Sequence, residues 1–228
     1  MATFGLVHGV CAGAWSWELV TPHLEEAGQK VIAVDLPCDD PDATFSDYAE
    51  VVREALMGTD DDIVLVGHSM GGLTIPLVAA RRPVREVVFV CGVIPVAGKS
   101  AVDQGLDFLA TDPADWQVDN GDGSFSIRPE AFGAYVAQDL DPAAIAKLAS
   151  LLRPQFRTPL AEQCPLESLP KLPYRYVLCR EDRFISPDWS RRAAPKRLGV
   201  EPIELPGSHM PTNSRPEELA AVLLAGSD

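Results

Sequence analysis

Basic residues are scarce: 19 Lys and Arg stand against 33 Asp and Glu, a formal net charge of -14 at pH 7. A surface that binds nucleic acid or an anionic membrane needs a basic footprint, and this field would repel both partners. Cysteine is sparse as well. Cys11, Cys38, Cys91, Cys164 and Cys179 are odd in number and lack the paired spacing of a disulfide framework or a zinc module. Reduced thiols in a cytoplasmic setting are expected. No stretch approaches the roughly 18 uninterrupted apolar residues of a membrane span, and the N-terminus has no basic region leading into an apolar one. What is present is an ordinary globular composition, 46% hydrophobic and 23% charged over 228 residues, enough for one large α/β core.

Short β-branched runs alternate with longer amphipathic stretches, the pattern of parallel strands joined by helices. Strands are expected at 3–7, 31–34, 63–66, 86–91, 175–179 and 202–205, and helices at 15–27, 46–57, 70–81, 188–198 and 216–224. From about Lys99 to Leu169 the alternation stops. "DNGDG" there marks a hairpin-type turn, "DPAAIAKLASLLRPQ" reads as helical, and "CPLESLPKLP" is punctuated by proline. The expected architecture is an open, mostly parallel sheet of about six strands flanked by helices. Residues 1–98 and 170–228 form its core, and 99–169 form a small cap inserted after the fourth strand. Such insertions lie over the C-terminal edge of the sheet, where α/β proteins place their ligands.

The stretch "VGHSMGGLT" places Ser69 between an apolar strand and a helix, fenced by Gly67, Gly71 and Gly72. This is the G-x-S-x-G nucleophile elbow, a turn so tight that only small residues fit beside the serine. A serine hydroxyl needs a base to become nucleophilic. Of four histidines, His23 falls in a helix pattern, and His68, adjoining the serine on a tight turn, is expected to pack beneath it. His209 in "ELPGSHMPT" follows the last strand, where a loop returns to the same edge of the sheet. The acid that orients the imidazole is expected just after the strand ending at Cys179, where Glu181 and Asp182 are both candidates, flanked by Arg180 and Arg183. Charge developing on a substrate carbonyl requires donors. The backbone N–H of Met70 is one, and that of Val10, in the loop after the first strand beside Gly9, is the second.

Other readings fail on spacing. H-G-V-C-A-G lacks the G-x-G-x-x-G of a dinucleotide cradle, so Asp35 has no ribose to hold. Counted from Asp119, "DNGDGS" puts glycines where a calcium loop needs carboxylates or amides. Glycines 5, 9 and 13 are spaced like a membrane dimer motif, but His8 and the short apolar run exclude one.

Taken together, "LVHGVCAGAWSWELVTPHLEEAGQKVIAVDLP", "LVGHSMGG", "LLRPQ", "REDRFISPD" and "GSHMP" resemble the α/β-hydrolase superfamily. Within it, the chain is similar to the branch of plant methylesterases, plant hydroxynitrile lyases and their bacterial esterase relatives. The resemblance covers nearly the whole chain. It implies a triad of Ser69, Asp182 and His209, with Val10 and Met70 as oxyanion donors, and it prefers Asp182 to Glu181 because the family's acid precedes a proline-opened helix. The lyases of this branch carry a threonine after the first-strand histidine and a lysine after the catalytic one. Gly9 and Met210 stand here instead, as in the esterases, and leave no ammonium to meet a departing cyanide. Ser208 occupies a position where relatives commonly have Asp.

The expectation is therefore a cofactor-independent, metal-free serine hydrolase that cleaves a small carboxylic ester through an acyl-enzyme. A hydroxynitrile lyase-like enzyme and a non-catalytic small-molecule receptor on the same fold are the alternatives. Partners are expected to be the ester substrate and, for assembly, a second copy in a homodimer. Trp116, Phe125, Phe132, Tyr135 and Phe156 of the cap are candidates to line an apolar pocket.

Overall fold

The computed structural model describes residues 1–59 and 62–226. Six strands form one parallel sheet: β1 (Thr3–Val7), β2 (Lys30–Val34), β3 (Ile63–His68), β4 (Glu86–Val90), β8 (Tyr174–Cys179) and β9 (Ile203–Leu205), in the spatial order β2-β1-β3-β4-β8-β9. The remaining strands, β5 (Gln117–Asp119), β6 (Ser124–Ile127) and β7 (Gln155–Phe156), make a small antiparallel sheet in the insertion. "DNGDG" turns the β5–β6 hairpin, as its composition predicts.

Parallel strands are covered on both faces, so they read as unbroken apolar runs. In β3, Ile63 and Leu65 enter one hydrophobic cluster and Val64 and Val66 enter the other, all four fully buried. The period of two sends alternate side chains to opposite layers. The helix Gly71–Ala79, which follows β3, has Gly71 through Val78 buried, so its sequence carries no polar stripe. Among the described residues no helix is long and apolar enough to cross a membrane.

Two boundaries differ from expectation for identifiable reasons. The helix expected over 15–27 is a 3-10 turn, Ala14–Trp17, followed by a short α-helix, Thr21–Glu26. Pro22 has no N–H to bond back across the junction, and it sits at the start of the second piece, where that N–H would be idle. Strand β4 stops at Val90 rather than Cys91, because Cys91 takes a left-handed backbone with φ 46° and leaves the pleat.

The order of the strands positions the site. From β1 the chain moves outward to β2 and then crosses to β3 on the other side, so the connections diverge between β1 and β3. A crevice forms at such a switch point, at the C-terminal ends of the strands. The β1 loop carrying Gly9 and the β3 loop carrying Ser69 flank it.

Candidate active site

Ser69 follows β3 directly, with φ 53°. Its N–H donates to Val90 O at 3.0 Å, and its carbonyl accepts from Gly72 N at 3.1 Å and Val93 N at 3.0 Å. These bonds hold the turn against a left-handed conformation that costs roughly 1–2 kcal/mol for a residue with a side chain. A Cβ on Gly71 would stand 2.7 Å from the carbonyl oxygens of both Val7 and His8, so only glycine lets the helix start this close to β1. Among the described residues, the other two non-glycine positions with positive φ are Cys11 and Cys91, on the loops after β1 and β4. All the left-handed strain carried by side chains is therefore stored around one crevice.

His209 and Asp182 meet there. Asp182 lies three residues beyond the end of β8, and its Oδ1 accepts from the N–H groups of Phe184 and Ile185, both at 2.8 Å. That leaves Oδ2 to accept the His209 Nδ1–H at 2.7 Å. Both side chains are only 3% exposed. Glu181 points elsewhere: its carboxylate accepts the Gly207 N–H, and the Glu181 N–H donates to Gly207 O, so it holds the histidine loop rather than the imidazole. The insertion clamps the same loop from above, with Asp139 Oδ2 accepting Ser208 N–H at 3.0 Å and Gln138 Nε2 donating to Glu181 O at 2.6 Å.

The electrostatics of the pair oppose one another. Burial alone would lower the pKa of His209, but the Asp182 carboxylate outweighs it and raises the imidazole above its usual 6.5. The two other buried histidines go the opposite way, because burial outweighs whatever favours their charge, which for His8 includes the Asp35 carboxylate 3.9 Å from Nε2. His68 is lowered to about 3 and His8 to about 4. His68 packs beneath the elbow as expected. Its Nε2 bonds the carbonyl of His209 at 2.8 Å and its ring lies 4.8 Å from the His209 ring, so it supports the imidazole from below. His8 Nδ1 bonds Gly9 O at 2.8 Å and Nε2 accepts Leu36 N–H at 2.9 Å, which ties the β1 loop to the end of β2. His23 is half-buried in its short helix, away from these contacts.

The β1 loop reaches Ser69 closely. A Cβ on Gly9 would come 2.8 Å from Ser69 Cβ and 3.3 Å from its Oγ. Neither Val10 N–H nor Met70 N–H donates to a carbonyl among the described residues, and Met70 opens the helix Gly71–Ala79 at its positive dipole end. Asp35, far from binding a ribose, accepts Ala14 N–H at 2.9 Å and pairs with Arg153 at 3.1 Å. Arg153, the arginine of "LLRPQ", also donates to the carbonyls of Ala12 and Leu36, locking the insertion onto this loop.

Ser69 borders two cavities. One, of about 240 Å³, is lined by apolar side chains including Leu73, Val93, Leu106, Trp116 and Phe125, with Val10 and Met70 beside the serine. The other, of about 20 Å³, is shared by Ser69, Gly9, Val10 and His209, with Trp15, Phe132 and Met210 closing it. Of the cap aromatics singled out above, Trp116 and Phe125 line the first and Phe132 the second; Tyr135 and Phe156 line neither. The structure thus brings Ser69, His209, Asp182, Val10 and Met70 to one crevice. Ser69 Oγ makes no hydrogen bond to a described residue, and the His209 imidazole borders the same small cavity.

Sequence reasoning missed Cys91. Its thiol lies against Asp182 and His209, with ligand atoms of the three within 4.8 Å of one another, a donor set able to hold a cation among the described residues. The Asp182–His209 bond already uses two of the three. A hydrogen bond with the neighbouring Cys179, and then burial, raise the Cys91 thiol well above its usual range. Nothing in the residue pattern separates Cys91 from an ordinary strand residue; only its φ marks it.

This combination of parallel sheet, elbow and acid–imidazole pair defines a class. Residues 6–222 match the family model described as the alpha/beta hydrolase family, and the chain belongs to that family. Within it, the chain sits in the plant methylesterase branch with its bacterial esterase relatives. It is 31% identical to Methylesterase 2 of Arabidopsis thaliana, over 99% of this chain and 95% of that one. It is also 31% identical to Salicylic acid-binding protein 2 of Nicotiana tabacum, over 97% and 95%. An extracellular alpha/beta-hydrolase from a Paenibacillus species shares the fold at TM-score 0.84 and 23% identity, with 99% and 98% of the two chains covered.

Proposed function

We propose that this chain is a serine esterase acting on the ester of an apolar acid with a small alcohol. The carrying observation is that Ser69 stands between a large apolar cavity and a small one that His209 lines. His209 takes the Ser69 proton as Ser69 attacks the carbonyl, and the oxyanion is held by the N–H groups of Val10 and Met70. Asp182 fixes the imidazole with its proton on Nδ1, leaving Nε2 as the base, and stabilises the imidazolium once formed. That proton then passes to the departing alcohol. The alcohol must therefore lie on the His209 side, where about 20 Å³ admits a group near the size of a methyl, while the acyl chain fills the larger cavity. Water repeats the sequence and releases the acid. Each step uses side chains, backbone amides and water.

The methylesterase relatives support ester hydrolysis, and the cavity sizes support a short alcohol. The test holds the acyl group fixed and lengthens the alcohol from methyl to butyl, reading kcat/KM for each. The expected result is a steep fall, at least tenfold overall, since differential fit acts on the transition state. A rise with alcohol size overturns the orientation, and turnover that survives Ser69→Ala overturns the serine mechanism.

A further inference from the structure

Apart from the indole of Trp116, the side chains lining the large cavity that carry polar groups are Ser69, Gln117 and Arg157. The Arg157 side chain is 39% exposed, so part of it meets solvent while part lines the cavity. Arg157 is held from three sides. One terminal nitrogen donates to Gln117 Oε1 at 3.1 Å, the other reaches Asp119 Oδ2 at 3.4 Å, and the guanidinium carbon stands 4.8 Å from the ring centre of Phe125, itself part of the wall. The backbone N–H of Arg157 donates to Gly123 O at 3.2 Å, anchoring it to the β5–β6 hairpin. A guanidinium has five N–H donors. Two are used in these bonds, and the Nε–H, one N–H on each terminal nitrogen and the Gln117 amide donate to no described residue. Two cavity-lining residues therefore carry uncommitted donors.

We propose that Arg157 and Gln117 select esters whose acyl group ends in an uncharged oxygen acceptor, a ketone or a hydroxyl, at the end remote from the scissile carbonyl. This rests on the esterase reading of Ser69. An uncharged acceptor is chosen over a carboxylate for two reasons. Asp119 already balances the guanidinium charge, and 33 acidic against 19 basic residues oppose the approach of an anion. A neutral acceptor gains a hydrogen bond to a charged donor without either penalty. Arg157 is a specificity residue in this account, with no part in the bond-breaking steps.

The experiment compares three methyl esters of equal chain length ending in a methyl, a methyl ketone or a carboxylate. For the wild type, kcat/KM is expected to follow ketone, then alkyl, then carboxylate, with the ketone ahead of the alkyl ester by about fivefold or more. Arg157→Leu should bring the ketone-to-alkyl ratio to near one, and Arg157→Lys should keep part of it. Because a ratio is read, a general loss of folded enzyme cancels. Asp119→Asn should raise the carboxylate ester relative to the alkyl one. A wild-type preference for the alkyl ester, or a ketone-to-alkyl ratio unmoved by Arg157→Leu, overturns the inference. Equilibrium binding of the same esters to Ser69→Ala protein reads the preference without turnover. Ketone selectivity there, with no hydrolysis by the wild type, would reject the esterase reading and keep the subsite. Hydrolysis with no ketone selectivity would do the reverse.

Discussion

Two acid–base pairs, one partly buried and one fully buried, sit at opposite ends of the same sheet, and they are built for different ends. Near the strand starts, Arg175 of β8 meets Glu86 of β4 through two parallel bonds of 2.6 Å, and its remaining donors reach the carbonyls of Val222 and Leu223. Arginine does not lose its proton, four of its five N–H donors are used, and neither cavity beside Ser69 touches the pair. Beyond the strand ends, Asp182 is saturated in the same way on Oδ1, but its partner is an imidazole that can titrate and that borders a cavity beside Ser69. The first arrangement spends its hydrogen bonds on the fold; the second places a titratable group at the wall of a cavity.

Breaking this contrast at its functional end should give the largest effect. Ser69→Ala or His209→Ala should lower kcat by about 10⁴- to 10⁶-fold with a melting temperature near that of the wild type, measured on a p-nitrophenyl ester and by calorimetry. Asp182→Asn keeps the shape but favours the wrong tautomer, and a loss of about 10³- to 10⁴-fold is expected. At the structural end the expectation inverts. Glu86→Ala leaves a partly buried guanidinium with only the Val222 and Leu223 carbonyls as partners and should cost about 1.5–3 kcal/mol in denaturant unfolding, while the folded fraction keeps its kcat/KM within about twofold. Gly9→Ala adds a carbon 2.8 Å from Ser69 Cβ and should lower kcat by about 10- to 100-fold with little change in stability.

The smallest effect is a shift in pH dependence. With His209 as the proposed base, kcat/KM should rise with pH as the imidazolium loses its proton. Burial lowers the pKa of this imidazole and Asp182 more than compensates, placing the midpoint above 6.5. In the residual activity of Asp182→Asn the midpoint should move down. A midpoint that stays put would mean that the carboxylate does not act through the imidazole.

The sheet was legible because its signals are local. Val64 to Val66 and Val87 to Val90 are apolar runs bounded by turns, and the glycines around Ser69 mark a turn of the nucleophile-elbow pattern. Asp182 over Glu181 was legible only through family likeness, since adjacent carboxylates differ in direction and not in chemistry. The rest depends on tertiary contacts. That Pro22 splits the first helix is readable afterwards, but a proline at that position also opens helices without breaking them. The three-stranded sheet of the insertion pairs β6 with a two-residue β7 some 28 residues later, too short to leave a period. Cys91 and Arg157 reach the site by a left-handed turn and by a strand pairing, neither of which composition records.

The central claim is that His209 makes Ser69 nucleophilic, and a fluorophosphonate tests it directly because that reagent captures activated serines. The account predicts one adduct per chain, at Ser69 by peptide mass, forming at least about 10³-fold more slowly in a folded His209→Gln variant. An adduct at any other residue, or labelling of Ser69 at the same rate without His209, would contradict it.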